Sequence, residues 1–268
     1  MRLYRLKMIA LLLGAALLIG CATSPQVERD TYKGTTSELR VGVTPDHAPT
    51  IFRQSGAITG IEADLARNLG EELRMPARFV VLAWEDQIPA LLDGRIDIIM
   101  SGMTVTRARE IRIAFTEPYL KSGLVAAMRA EDSKKYNSKD SILNGYVTVG
   151  AVKDTTGDAF VKRSFPNAVR KTFLPDPKDG VYELKRRAID IFVYDAPSVI
   201  WLISENEADI AGFREPLTEE YLAWGVRKDD EKLLQDVNGI LKRWKQDGTL
   251  SRVLGKWLPA EYFKRIHD

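Results

Sequence analysis

The 268-residue chain is poor in the side chains on which covalent and metal chemistry usually rests. Cys21 is its only cysteine, so no intramolecular disulfide can form and the fold must stand on its apolar core. There are two histidines, one of them the penultimate residue His267, and no His/Cys/Asp cluster has metal-ligand spacing. Nucleophilic catalysis has little to work with, and no cofactor is implied. Past the first twenty residues no apolar run is long enough to span a membrane. A charge surplus is also missing. The formal net charge is +2, but the first twenty residues hold three basic and no acidic side chains, which leaves 36 basic against 37 acidic beyond them. A near-neutral, well-mixed surface argues against nucleic acid as a partner.

What is present begins at the N-terminus. Arg2, Arg5 and Lys7 precede the apolar run Met8 to Ile19. Twelve residues are too few to cross a bilayer as a helix, and a short apolar run behind basic residues reads as a signal peptide. The run ends in Leu18-Ile19-Gly20-Cys21, which resembles a bacterial lipobox. The resemblance implies that residues 1–20 are removed and that Cys21 is lipidated with several acyl chains (palmitate among them), anchoring the chain to a bacterial membrane, periplasmic or at the cell surface. An ordinary signal peptide with a chance cysteine is the bland alternative. Residues 21–37, polar and without period, read as a flexible tether.

From Leu39 the pattern alternates strands with helices. Leu39–Val43 reads as a strand, Ile61–Leu73 as a helix with apolar residues at Ile61, Leu65, Leu69 and Leu73, and Phe79–Val81 as the next strand. Trp84–Leu92 reads as helical and Arg95–Met100 as a buried strand ending at Ser101-Gly102. The pattern then restarts. Tyr146–Val152 is a strand, Asp158–Phe165 a helix, and Ala188–Val193 a strand leading into Tyr194-Asp195. Ile96-Asp97-Ile98 is echoed by Ile189-Asp190-Ile191. The fold class expected is α/β, in two lobes, each a mostly parallel sheet flanked by helices. Ligands of such sheets bind beyond the carboxyl ends of the strands, which draws Thr44, His47, Trp84 and the loop after Met100 to one crevice. Residues 234–258 form a final helical stretch whose apolar side is core.

The run Ser101-Gly102-Met103-Thr104-Val105-Thr106-Arg107-Ala108-Arg109 carries the clearest chemistry. Thr106 suits an N-cap, leaving Arg109 in the first turn, where a cation is disfavoured and gains from an anionic partner. Its planar guanidinium suits bidentate capture of a carboxylate. A surface pair with Glu110 or an aspartate is the bland reading.

Gly60-Ile61-Glu62-Ala63-Asp64-Leu65-Ala66, Trp84 with Ile88-Pro89-Ala90-Leu91, Gly94-Arg95-Ile96-Asp97, the run Ser101 to Arg109, and Phe115-Thr116-Glu117-Pro118-Tyr119 together resemble the type II periplasmic solute-binding proteins for polar amino acids (extracellular solute-binding family 3). The resemblance covers essentially all of 38–258. It implies a two-lobed, periplasmic-binding-protein-like type II fold that closes around one amino acid, with residues 38–121 plus 223–268 as lobe 1 and 122–222 as lobe 2. The crossovers would be Leu120–Gly123 and Leu222–Gly225. The partners it implies are a small amino-acid-like ligand and the permease subunits of an ABC transporter, the binding protein itself being a monomer.

By the same resemblance, Arg109 would hold the ligand α-carboxylate with the backbone N–H of Thr104. Gly102 C=O, the Thr104 hydroxyl and Asp195 would receive the α-ammonium, with Ser101 beside them. Thr155, Thr156 and Gly157 would offer a helix N-terminus. Thr44, His47, Trp84 and Lys153 would shape the side-chain pocket. A lysine there with no facing carboxylate favours a neutral polar or acidic ligand. The bland readings are a helix cap for Asp195, a solvent pair with Asp154 for Lys153, a wall residue for His47 and a core residue for Trp84. Two further functions stay open: a cyclohexadienyl-dehydratase-like enzyme on the same fold, which needs only one well-placed acid such as Asp46, His47 or Asp154, and a ligand-sensing module for a separate membrane partner.

Overall fold

The computed structural model describes residues 38–259. The expected signal peptide, the expected lipidation site Cys21 and the expected tether lie outside the described residues. Two five-stranded sheets organise the rest. The first runs, edge to edge, Ala77–Val81, Leu39–Val43, Ile98–Ile99, Gly225–Val226 and Ala114–Phe115. The second runs Arg170–Leu174, Thr148–Val152, Ile191–Asp195, Leu124–Arg129 and Ile210–Gly212. In each, the ladders of the first three strands are parallel and the last two antiparallel. The first sheet thus takes its strands from both ends of the described chain, and the second from the middle. Between them the chain crosses once out and once back, and the crossing segments Leu120–Ser122 and Glu220–Leu222 pair antiparallel.

Each sheet buries its faces under helices. Ile61, Leu65 and Leu69 of the helix Ile61–Leu73 join Val41, Val43, Val237, Leu241 and Trp244 in one core. Val149, Ala151, Ile191 and Val193 meet Phe160, Val161 and Phe165 on one face of the second sheet, and Leu184, Phe192 and Val199 pack on the other. Such strands read as continuous apolar runs because both faces are covered.

Two strands are shorter than their apolar runs suggest, for the same reason. Asp97 N–H donates to Arg40 C=O while its carboxylate accepts the Arg40 N–H at 2.9 Å, so a side chain stands in for the backbone carbonyl and regular pairing starts only at Ile98. Asp190 does the same to Thr148 at 2.9 Å, and that strand runs Ile191–Asp195. The echo is deeper than the sequence showed. Arg227 donates to the carbonyls of Leu91 and Ile96 and pairs with Asp230 and, at 3.6 Å, Asp97. Arg129 donates to the carbonyls of Leu184 and Ile189 and pairs with Asp132 and Asp190. One arginine thus clamps the same turn in each lobe.

The helical stretch at 234–258 is two helices, Glu231–Gln246 and Thr249–Trp257, broken where Gly248 takes φ 80°. A hairpin, Asp46–His47 with Ile51–Gln54 and Ala57–Thr59, lies between the first strand and first helix. Its Phe52 ring meets Trp201 of the second lobe at 5.9 Å. Gly60 closes the hairpin onto the helix at φ 115°, and a Cβ there would lie 2.7 Å from the carbonyl oxygens of Pro49 and Thr50. Only glycine fits.

Candidate functional site

A narrow cleft lies where the strand ends of the two sheets face each other. His47, Trp84, Ser101, Gly102, Thr104 and Arg109 line it from the first lobe, and Thr155, Thr156, Tyr194 and Asp195 from the second. The lobes are drawn together across it. Trp84 Nε1–H donates to Asp154 C=O at 3.0 Å, and His47 stacks on Tyr194 with ring centroids 5.9 Å apart. The remaining room at the centre, about 10 Å³, suits one water molecule.

The first-lobe wall is built by the loop after Ile99. Gly102 sits at φ 68°, and its N–H donates to Glu62 Oε2 at 2.6 Å. Thr106 caps the short helix Arg107–Glu110 by accepting the Arg109 N–H, as the sequence implies. Arg109 then reaches into the cleft. Its Nη1 donates to Thr104 C=O at 2.8 Å, and its guanidinium lies 5.3 Å from the Trp84 ring centroid. Among the described residues no carboxylate forms an ion pair with it, neither Glu110 nor any other. Burial lowers its pKa below the usual arginine range, against the pull of Asp195 and Glu220. It remains a cation at neutral pH, and its planar guanidinium suits bidentate capture of an anion.

Asp195 faces it from the opposite lobe. It holds the N-cap position of the helix Ala196–Ser204 yet makes no side-chain cap bond. Its Oδ1 is buried and meets no hydrogen-bond donor. Burial, and then the Glu220 charge, push its pKa up to about 7. A carboxylate left without a donor in a cleft costs free energy until a donor arrives. The helix-cap reading of Asp195 therefore has no bond to support it.

Several residues singled out in the sequence stand elsewhere. Lys153 has a side chain 71% exposed and reaches Asp154 at 3.9 Å, in solvent, so it does not face the cleft. Thr44 is buried below the floor: its hydroxyl donates to Leu82 C=O and accepts from Gln87 Nε2, while its N–H donates to Ser101 Oγ. With its polar groups engaged it anchors the loop and presents nothing to a ligand. Gly157 does not line the cleft; a Cβ there would lie 3.0 Å from Val193 C=O, a close helix–strand approach. Thr155, buried in the lining, caps its helix by accepting the Asp158 N–H and donates to Val152 C=O.

Three residues were not anticipated. Tyr194 lies beside Asp195, and burial raises its hydroxyl pKa well above the usual tyrosine value, so it stays neutral. Glu62, inside the motif Gly60–Ala66, is fully buried under Gly102 and is raised to about 7 by burial, opposed by Tyr119 and the Gly102 N–H. Glu220 lies on the returning crossing strand, in a segment with no apolar period to mark it. For His47, burial pulls the pKa down, but the Asp46 carboxylate at Nδ1 and the Thr44 carbonyl outweigh it and leave the ring above its usual value.

Two α/β lobes joined by a paired crossing, with Arg109 and Asp195 facing each other in the cleft and neither in an ion pair among the described residues, define a two-lobed ligand-binding protein. Residues 39–260 match the model of the bacterial extracellular solute-binding proteins, family 3, and the chain belongs to that family. It is 25% identical over 227 residues to the L-cystine-binding protein TcyJ of Escherichia coli K12, covering 84% of each chain. It is 27% identical over 239 residues to the ABC transporter arginine-binding protein 1 of the same strain, covering 85% of this chain and 94% of that one. Among solved structures, a binding component of an ABC transporter from Wolinella succinogenes complexed with lysine matches with TM-score 0.80 and 26% identity, over 85% of this chain and 99% of that one. The ancestral amino-acid-binding protein AncCDT-1, a precursor of cyclohexadienyl dehydratase, matches with TM-score 0.77 and 31% identity, over 83% and 96%. Among the described residues no helix is long and apolar enough to cross a membrane, and no group of three or more potential ligand side chains could hold a metal ion.

Proposed function

We propose that this chain is the lipid-tethered, extracytoplasmic binding component of an ABC importer and captures one free amino acid between its lobes without transforming it. The observation that carries this is the pair Arg109 and Asp195, one on each lobe and both lining the cleft, neither in an ion pair among the described residues. An α-amino acid supplies both. Its carboxylate meets Arg109 and its ammonium meets Asp195, so the ligand completes the contact that closes the cleft. Relatives named for cystine, arginine and glutamine binding support the class. The side-chain preference changes from the sequence reading. Without Lys153 in the cleft an acidic side chain has no cation of its own to meet, since Arg109 and Asp195 of the lining are taken by the ligand's carboxylate and ammonium. A neutral polar side chain fits that balance. Lipid on Cys21 would hold the domain near its permease and raise its effective concentration there.

A thermal-shift screen of the domain after the tether, against all amino acids, dipeptides, polyamines and prephenate, tests this. Ligand at a hundredfold excess over Kd adds about 2.7 kcal/mol, or several degrees in Tm for a domain of this size. Arg109→Ala should abolish the shift. A shift that survives intact refutes the carboxylate assignment. An acid with a pKa near 7 in a closed cleft is also what a dehydratase would use, so turnover of prephenate in the same wells would establish the enzymatic alternative.

A further inference from the structure

Glu220 joins the two lobes from a place that neither lobe owns. It stands on the returning crossing strand Glu220–Leu222, and the loop of Thr104 is tied to that strand by Val105 N–H to Tyr221 C=O and Ala223 N–H to Met103 C=O. Glu220 Oε2 accepts the Thr104 hydroxyl of the first lobe at 3.2 Å and the Thr156 hydroxyl of the second at 3.1 Å. Its Oε1 accepts from Thr218 at 3.1 Å. Thr104 and Thr156 both line the cleft.

A hydroxyl has a single hydrogen, and an ionised carboxylate can only accept. With both hydrogens committed to Glu220, Thr104 Oγ1 and Thr156 Oγ1 turn only lone pairs toward the cleft. Asp195 Oδ1, also without a donor, adds a third acceptor. We infer that Glu220 is a specificity-determining positioning residue, which fixes the Thr104 and Thr156 hydroxyls as acceptors and so makes, with Asp195, a three-acceptor socket for a primary ammonium group. An ammonium carries three N–H donors and satisfies all three acceptors. An α-hydroxyl carries one and leaves two acceptors unpaired, a mismatch that sites built on polar contacts reject strongly. Because the two hydroxyls belong to different lobes, the socket is complete only when the cleft is closed. This deepens the amino-acid reading above and rests on it.

The test measures affinity by calorimetry for L-arginine, L-histidine and L-glutamine, each beside its α-hydroxy acid, in the wild type, Glu220→Gln and Glu220→Asp. The wild type should prefer the amino acid by at least about 100-fold. In Glu220→Gln the amide can donate, the hydroxyl hydrogens are freed to turn into the cleft, and the preference should fall to about tenfold or less. Most of that fall should come from weaker amino-acid binding. Glu220→Asp keeps the charge but withdraws it from both hydroxyls and should lose preference as well. An unchanged preference, or equal weakening of both ligand types, would overturn the proposal in favour of a hinge-scaffolding role. A wild type that answers to none of the three amino acids fails the amino-acid reading for those ligands. Glu220 is then judged by carboxyl NMR titration of Asp195, whose midpoint near 7 should fall in Glu220→Gln. A midpoint that stays put overturns the shared socket.

Discussion

Asp195→Asn should stabilise the unliganded protein while destroying its binding. The Asp195 carboxyl titrates near 7 in the fold against an ordinary value of 3.8, chiefly because of burial. Between those two values the native state holds a proton that the unfolded chain has released. Linkage then makes the contribution of this group to stability fall as pH rises through the window. By pH 8 the cost reaches at most about 4 kcal/mol, at about 1.4 kcal/mol per pH unit. Asparagine removes the charge, but its buried amide carries unmet hydrogen bonds of its own worth about 1–3 kcal/mol. The net gain at pH 8 should be about 1–3 kcal/mol, or roughly 2–10 °C in Tm. Below about pH 3 the wild-type carboxyl is protonated in both states, and the gain should vanish or reverse. Thermal denaturation of both proteins from pH 3 to 8, without ligand, measures this directly. The Tm curves should converge in acid and diverge toward pH 8. Parallel curves would refute the claim that Asp195 is a desolvated carboxylate waiting for a donor.

Trp84→Phe keeps the ring over Arg109 but removes the bond to Asp154 C=O, and calorimetry should show amino-acid affinity weakened about two- to tenfold. Asp97→Asn breaks the buried pair with Arg40 at 2.6 Å and Asp190→Asn the clamp by Arg129, and each should cost about 3–5 kcal/mol in urea unfolding, whereas Asp236→Asn, at an exposed pair with Lys232, should cost under about 1 kcal/mol. Gly60→Ala meets two carbonyl oxygens at 2.7 Å and a positive φ, and should lower Tm by several degrees on thermal unfolding.

How far the sequence reached depended on whether a signal was local. The helix Ile61–Leu73 was legible to the residue because its apolar spacing, polar opposite face and flanking Gly60 agree. The cap ahead of Arg109 was legible because Thr106 and Arg109 form a cap and a misplaced cation within one turn. The antiparallel halves of both sheets were not, since Leu124–Arg129 and Gly225–Val226 pair with strands far away in the chain. Ranges also shifted where a side chain replaced backbone: nothing local says that Asp97 and Asp190 bond the neighbouring strand and end the ladder. Lys153 was singled out through the family resemblance, but its side chain is 71% exposed and reaches Asp154 at 3.9 Å, which the sequence alone does not reveal. Glu220 escaped for the opposite reason. Its role comes from the crossing of the two lobes, and its partners are 116 and 64 residues away in the chain.

The central claim is that one cleft reads both charges of a free amino acid. Calorimetric titration of the domain with the amino acid giving the largest thermal shift, and with its N-acetyl and methyl-ester derivatives, tests it most directly. Capping either end removes a charge-assisted contact worth about 1.5–3 kcal/mol and strands Asp195 or Arg109 without its partner. Each derivative should bind at least about 100-fold more weakly than the free amino acid. Capped and free ligands binding alike would contradict the account.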